Sequence, residues 1–343
     1  MLNRSANKPA RLPDGHPPVL LIVVDTEEEF PWDKPFSRDN TGTSAIPAQR
    51  IAHERIYDRL GIVPTYVIDW PVATTPAAYE SLRALMLEGR CEIGAHLHPW
   101  VSPPYDETVS TFNSYTGNLP VELEFEKLRL LTQAITENIG RRPTTFKAGR
   151  YGLGPNTAST LAKLGYLVDA SVVPHTAFTG DGGPDFSGFT EQPYWFDGTE
   201  RPLLELPVTT GFHGLLRSRG SMIYPLLDNK LMRKLRAGGI ASRAGLLERI
   251  RLTPEGCDTA DMKRIARTLV GDGCQVLTMT YHSPSLVSGH TPYVRSPKEL
   301  EAFLESINGL CTYFKDELGG VFMSVSSLHA KLAVTLADSA VPA

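Results

Sequence analysis

Residues 19–24 read Val19-Leu20-Leu21-Ile22-Val23-Val24, six apolar residues in a row and four of them β-branched. The run is too short to cross a membrane. It has instead the pattern of a strand buried on both faces, as in parallel sheets covered by helices. It ends abruptly in Asp25-Thr26-Glu27-Glu28-Glu29. Four carboxylates closing a buried strand are costly unless they meet water or carry chemistry. This segment therefore predicts a layered α/β fold and marks the end of the sheet where function is expected.

The same rhythm continues along the chain. Residues 47–60 show helical spacing (Ile51, Ile56, Leu60) closed by Gly61, and Ile62 to Ile68 reads as a second strand ending in Asp69-Trp70. A helix over 76–89 precedes Glu92-Ile93-Gly94-Ala95-His96-Leu97-His98, a third strand. Helices over 121–139 and 156–164 precede strands at Thr144 to Tyr151 and Gly165 to Ser171. Later strands are expected at Leu203 to Val208, Gln275 to Tyr281 and Val321 to Val325, with helices near 258–270 and 297–314.

Such alternation predicts an α/β fold with mostly parallel strands. Reactive residues close so many strands that a distorted (β/α) barrel with loop and helical insertions is expected rather than an open sheet. Residues 1–18 read as a flexible tail, 19–330 as one barrel domain and 331–343 as a C-terminal tail. Residues 102–119 read as a long loop over the site, and 173–202 as a loop with a hairpin. Residues 213–256 read as an inserted helical section with a basic face (Arg217, Arg219, Lys230, Arg233, Lys234, Arg236, Arg243). A solvated helix surface is the expected role of that face, with contact to a phosphate-bearing substrate the alternative.

Composition narrows the function classes. The net charge of −4 and pI near 6.2 argue against nucleic acid or anionic membrane as the main partner. Cys91, Cys257, Cys274 and Cys311 are scattered, with no C-x-x-C pair, so buried free thiols are expected. Residues 1–18 lack an apolar leader, which gives a cytoplasmic enzyme without a membrane span as the expectation.

Four strand ends carry reactive side chains: Asp25 and Glu27; His96 and His98; Lys147 and Arg150; and Tyr281-His282-Ser283. In a strand, His96 and His98 share a face. Carboxylates with imidazoles suit a divalent metal such as zinc with one position open. A further carboxylate can take a proton from water, a further histidine can protonate a leaving group, and a cation can hold a carboxylate ionised. Glu28 and Glu29 are expected to be solvated or loop-structuring. Trp100 fits a substrate platform or rim packing equally, and Tyr151 joins Lys147 as a candidate substrate contact. His175 and His290 lie in loops within reach of the site.

In order along the chain, these segments resemble the polysaccharide deacetylase family, carbohydrate esterase family 4. The likeness rests on Val24-Asp25-Thr26-Glu27, Glu92 to His98, Phe146-Lys147-Ala148-Gly149-Arg150-Tyr151-Gly152, Gly165 to Ser171 and His282-Ser283. It spans roughly residues 19–330. The resemblance implies Asp25 as general base, His282 as general acid, His96 as metal ligand and Arg150 at the family's arginine position. It implies a metal-dependent hydrolase removing an acyl group, N-acetyl by expectation, from an amino sugar. The lack of an apolar leader gives a nucleotide- or lipid-linked sugar precursor as the expected substrate.

The chain departs from the family where Thr26 replaces a second Asp and where His98 lies two residues after His96 instead of four. Glu27 can replace the lost ligand, with His98 as the third. Equally, Asp25 can bind the metal while Glu27 acts as base. Two further readings stand: a metal-independent hydrolase of another carbon–nitrogen bond, and a catalytically silent carbohydrate-binding barrel.

Overall fold

The computed structural model describes residues 2, 4–198, 201–229, 232 and 234–340. Its main sheet has the strands β1 (Lys8–Pro9), β2 (Val19–Thr26), β3 (Thr65–Ile68), β4 (Glu92–Leu97), β5 (Thr145–Ala148), β6 (Val168–Asp169), β7 (Tyr194–Asp197) and β8 (Pro202–Glu205). After the separate ribbon of β9 (Thr210–His213) and β10 (Glu248–Arg251) come β11 (Val276–His282) and β12 (Val321–Phe322). The order across the main sheet is β1-β7-β8-β6-β5-β4-β3-β2-β11, and β12 pairs with the start of β2. All pairings from β8 to β11 are parallel, while β7 and β1 add antiparallel strands at the edge.

The sheet curls until its sides meet. Thr209, just beyond β8, donates its N–H to the Thr278 carbonyl at 3.2 Å, and the Thr278 N–H donates to Thr209 Oγ1 at 2.7 Å. Thr280 N–H donates to the Leu252 carbonyl at 3.3 Å. Closure thus runs through single bonds instead of a continuous ladder, giving the distorted barrel that the alternation predicts.

Two buried clusters reflect the strand period. Leu20, Ile22 and Val24 pack outward against the helices, while Val19, Leu21 and Val23 join Val67, Val168, Leu204 and Val276 inside the barrel. Asp25 is the next residue on that inner face. By the same alternation, Ile93, Ala95 and Leu97 of β4 face outward and leave Gly94 and His96 inside. Phe146 and Ala148 of β5 do the same for Lys147, and Met279 and Tyr281 of β11 for Thr280 and His282. Gly94 has a steric reason: a Cβ there would lie 2.7 Å from the Thr145 carbonyl and 2.9 Å from Val67 Cγ1.

The helices follow their expected spans closely, at Pro76–Leu87, Val121–Ile139, Thr157–Lys163, Thr259–Gly271 and Pro297–Asp316. Residues 49–60 are helical with a π-turn at His53–Tyr57, and Gly61 closes them in the left-handed region (φ 69°). The four cysteines are free, with Cys91, Cys274 and Cys311 buried.

The expected tails are corrected. Lys8 and Pro9 pair with Trp195 and Tyr194, and Ala10 and Leu12 are buried. The last helix, Val325–Ala340, runs past residue 331, and its Val325, Leu328 and Leu332 join the same inner cluster. Both ends of the described chain therefore cover the barrel interior at the amino ends of the strands, because the exposed apolar floor gains by burial. The expected hairpin at 173–202 is the β7–β8 pair, reaching beyond that range to Glu205. The inserted section proves to be the β9–β10 ribbon carrying short helices at Gly220–Leu227 and Ala237–Arg243. Of its basic residues, Lys230 and Arg233 lie outside the described residues.

Candidate active site

Strand ends place two polar clusters on opposite sides of one cleft of about 350 Å³. On one side, Lys147 Nζ donates to Asp25 Oδ1 at 2.5 Å, to Asp25 Oδ2 at 2.8 Å and to Thr280 Oγ1 at 2.7 Å. All three side chains come from inner-face positions. Burial disfavours a charge on Asp25, but Lys147, aided by His96 and His282, overrides it and holds the carboxyl below its ordinary value. His282 Nε2 lies 3.8 Å from Asp25 Oδ2, as the β2–β11 register pairs the two residues.

Behind His282 stands Glu255. Its Oε2 accepts from His282 Nδ1 at 2.7 Å and its Oε1 accepts from the His282 N–H at 3.1 Å and from Ser285 Oγ at 2.5 Å. Burial works against a charged imidazole, yet Glu255, Glu27 and Asp25 outweigh it and raise His282 well above the usual histidine range.

On the other side, His96 Nε2 and His98 Nε2 each lie 3.4 Å from Glu27 Oε2. About 3.4 Å is also the ligand–ligand separation that bonds of about 2.1 Å give around a tetrahedral ion. Each imidazole is fixed through its other nitrogen: His96 Nδ1 donates to the Lys147 carbonyl at 3.0 Å, and His98 Nδ1 pairs with Glu28 Oε2 at 2.7 Å. Glu28 Oε1 accepts from Trp100 Nε1–H at 2.9 Å. Burial lowers both imidazoles, His98 to about 4, which favours the neutral form a metal requires. Burial also raises Glu27, whose Oε1 is buried with no hydrogen-bond partner. A carboxylate with one buried oxygen unpartnered (Oε1) and the other (Oε2) 3.4 Å from two imidazole nitrogens fits a divalent cation. Glu27, His96 and His98 are the residues that would hold it.

Several expectations are corrected by this geometry. Lys147, not Arg150, occupies the place beside Asp25, and it is buried behind the cleft, away from a substrate-contact position. Arg150 adopts a left-handed backbone (φ 52°), as does Tyr151 (φ 61°), turning the chain out of β5. The Arg150 guanidinium reaches Asp181 at 2.7 Å and Ser114 at 2.6 Å and lies over the Tyr115 ring at 4.2 Å. Trp100 lines the cleft, though almost wholly buried, stacked on His98 with ring centroids 4.3 Å apart and packed on Phe36. Tyr151 does line the cleft, with Arg251 Nη1 donating to its hydroxyl at 3.3 Å.

Glu28, expected to be solvated or loop-structuring, is fully buried. Glu29 is loop-structuring, its Oε1 accepting from Ser44 Oγ and the Ala45 N–H. Of the loop 102–119, only Tyr115 lines the cleft. His290 pairs with Glu29 and His175 packs on Phe212; neither lines it. Sequence reasoning missed Glu255, the aromatic wall of Phe30, Trp32, Phe36, Phe178 and Tyr293, and Arg251. Phe30, Trp32 and Phe36 follow the acidic strand end directly, and that clustering was a usable signal.

The fold and site together define an α/β barrel with one polar cleft at the carboxyl ends of its strands. Its fold is that of the polysaccharide deacetylases. A Mycobacterium smegmatis protein carrying the polysaccharide deacetylase name superposes with a TM-score of 0.52 at 17% identity, over 96% of this chain and 94% of that one. PuuE allantoinase gives 0.57 at 16% identity, covering 97% and 96%. A Pseudomonas aeruginosa PAO1 protein with the polysaccharide deacetylase name gives 0.52 at 15% identity, covering 91% and 90%. No family model and no curated protein matches the sequence.

Proposed function

We propose that the protein hydrolyses a carbon–nitrogen bond, removing an acyl group, N-acetyl in the first instance, from an amino sugar. The observation that carries this reading is one cleft holding a metal-ready Glu27–His96–His98 trio opposite an Asp25–Lys147–His282 cluster. Solved structures that share the fold include two proteins named polysaccharide deacetylase and an allantoinase, which supports a carbon–nitrogen hydrolase.

A divalent ion on Glu27, His96 and His98 would supply a Lewis acid for the amide carbonyl. Asp25 takes the proton of the attacking water, and Lys147 keeps that carboxylate ionised and fixed. His282, protonated and backed by Glu255, gives its proton to the amine nitrogen as the carbon–nitrogen bond breaks. The products are a carboxylate and a free amine. The aromatic wall of the cleft suits the apolar faces of a sugar ring.

The test is metal content and acetate release, measured together on N-acetylated amino sugars. Stoichiometric zinc or another divalent ion, with activity lost on chelation and on His96→Ala, is expected. Amide turnover without any metal would replace this reading with a metal-independent hydrolase. Sugar binding without turnover, unchanged by His282→Ala, would point to a silent carbohydrate-binding barrel.

A further inference from the structure

The section between β9 and β10 holds features that the cleft does not use. Among the described residues, fifteen large apolar side chains are exposed, and seven of them lie between Leu215 and Leu246, under a tenth of the chain. Leu215 is 80% exposed, Met222 and Leu226 each 65%, and Ile240 61%. Such clustering on a protein surface marks a contact face. Met222 and Leu226 are one helical turn apart on Gly220–Leu227 and share a side. The N–H groups of Leu215 and Leu216 donate to the carbonyls of Gly245 and Leu246 at 3.1 and 2.9 Å, which brings three exposed leucines together at the neck of the insert.

Cations are interleaved with these apolar groups. Residues 215–246 contain seven Lys or Arg and one acidic residue, a net of +6, in a chain whose total is −4. Arg219, Lys234, Arg236 and Arg243 are exposed, and none has an ion-pair partner among the described residues. A second copy docking symmetrically would oppose two such positive faces, which disfavours self-association. Apolar side chains that enter an acyl boundary while Arg and Lys meet headgroup phosphates account for both properties. The negative charge elsewhere is screened beyond about 8 Å at physiological ionic strength, so the exposed cations Arg219, Lys234, Arg236 and Arg243 govern contact.

We propose that residues 214–246 dock the protein on an anionic lipid bilayer. The insert springs from the His213–Glu248 end of the ribbon, while Arg251 at the other end lines the cleft. Three residue steps along a strand span about 10 Å, so docking holds the cleft mouth near the headgroups.

Co-sedimentation of the full chain with vesicles tests this. Binding to phosphatidylcholine vesicles containing phosphatidylglycerol is expected, with none to pure phosphatidylcholine and with weakening in 0.5 M salt, the latter on the order of several-fold. The variant Arg219→Gln/Lys234→Gln/Arg236→Gln should weaken binding by on the order of a hundredfold. Met222→Ser/Leu226→Ser should weaken it too, with melting temperature and hydrodynamic radius unchanged. No binding to the anionic vesicles, or equal binding by both variants, overturns the proposal. So does a concentration-dependent dimer that Met222→Ser/Leu226→Ser dissociates while vesicle binding persists, since the face would then belong to a protein interface.

Discussion

Lys147 shows how much one buried cation controls. It is wholly inside the protein and spends three donors on Asp25 and Thr280. Lys147→Met would leave Asp25 buried and uncompensated, so destabilisation by about 3–5 kcal/mol is expected in denaturant unfolding. Adding Asp25→Asn should recover part of that stability and none of the turnover, because the base is then gone. Glu255 acts at one remove, through His282. Removing its charge lowers the His282 pKa, and an acid catalyst loses activity as pH rises through its pKa. Glu255→Gln should therefore move the alkaline limb of kcat/KM to lower pH, a shift that mere loosening of the fold would not produce.

At the scale of elements, the turn after β5 is shaped around His98, which directly follows β4. A Cβ on Gly149 would lie 2.3 Å from His98 Cδ2 and 2.6 Å from the Leu97 carbonyl. Gly149→Ala must therefore displace His98, and metal affinity should fall by about 10–100-fold, the usual cost of disturbing a ligand's support. Isothermal titration with zinc reads this directly, and an unchanged affinity would argue against His98 as a ligand. The loop leaving β4 is anchored separately: Lys127 Nζ, on the helix Val121–Ile139, donates to the carbonyls of Pro99, Ser102 and Pro104 at 3.0, 2.6 and 2.6 Å. Helix spacing announced that helix in the sequence, but not that its one lysine points inward.

At the scale of the whole molecule, the barrel wall contains a carboxylate pair away from the cleft. Asp169 and Glu205 are paired across β6 and β8, fully buried, and burial raises both, Glu205 well above the ordinary range. The folded state thus keeps a proton that the unfolded chain releases above about pH 4.3. Stability should fall as pH rises from there toward the folded pKa, by at most about 1.4 kcal/mol per pH unit for one proton. Glu205→Gln should flatten that slope in melts run at a series of pH values above the ordinary carboxylate range.

The sequence by itself determined the order of the parallel barrel strands and their main helices, though not β1 or the β9–β10 ribbon, because periods of 2 and 3.6 are written locally in residues such as Val19 to Val24. It also determined that Asp25, Glu27, His96, His98 and His282 would gather, since parallel strands all present their carboxyl ends on one side. Only the tertiary structure decided which cation meets which acid. Lys147 and Asp25 are 122 residues apart, and Lys147 and Arg150 were both candidates, with Arg150 favoured, until the barrel's curl set Lys147 on Asp25 and the left-handed backbone carried Arg150 to the cleft rim. The same holds for Glu28 and Glu255, whose partners are brought to them by packing and not by spacing. It holds for the insert as well, where exposure separates a contact face from an ordinary apolar helix. Spacing fixes what lies on a face; closure of the barrel fixes what that face meets.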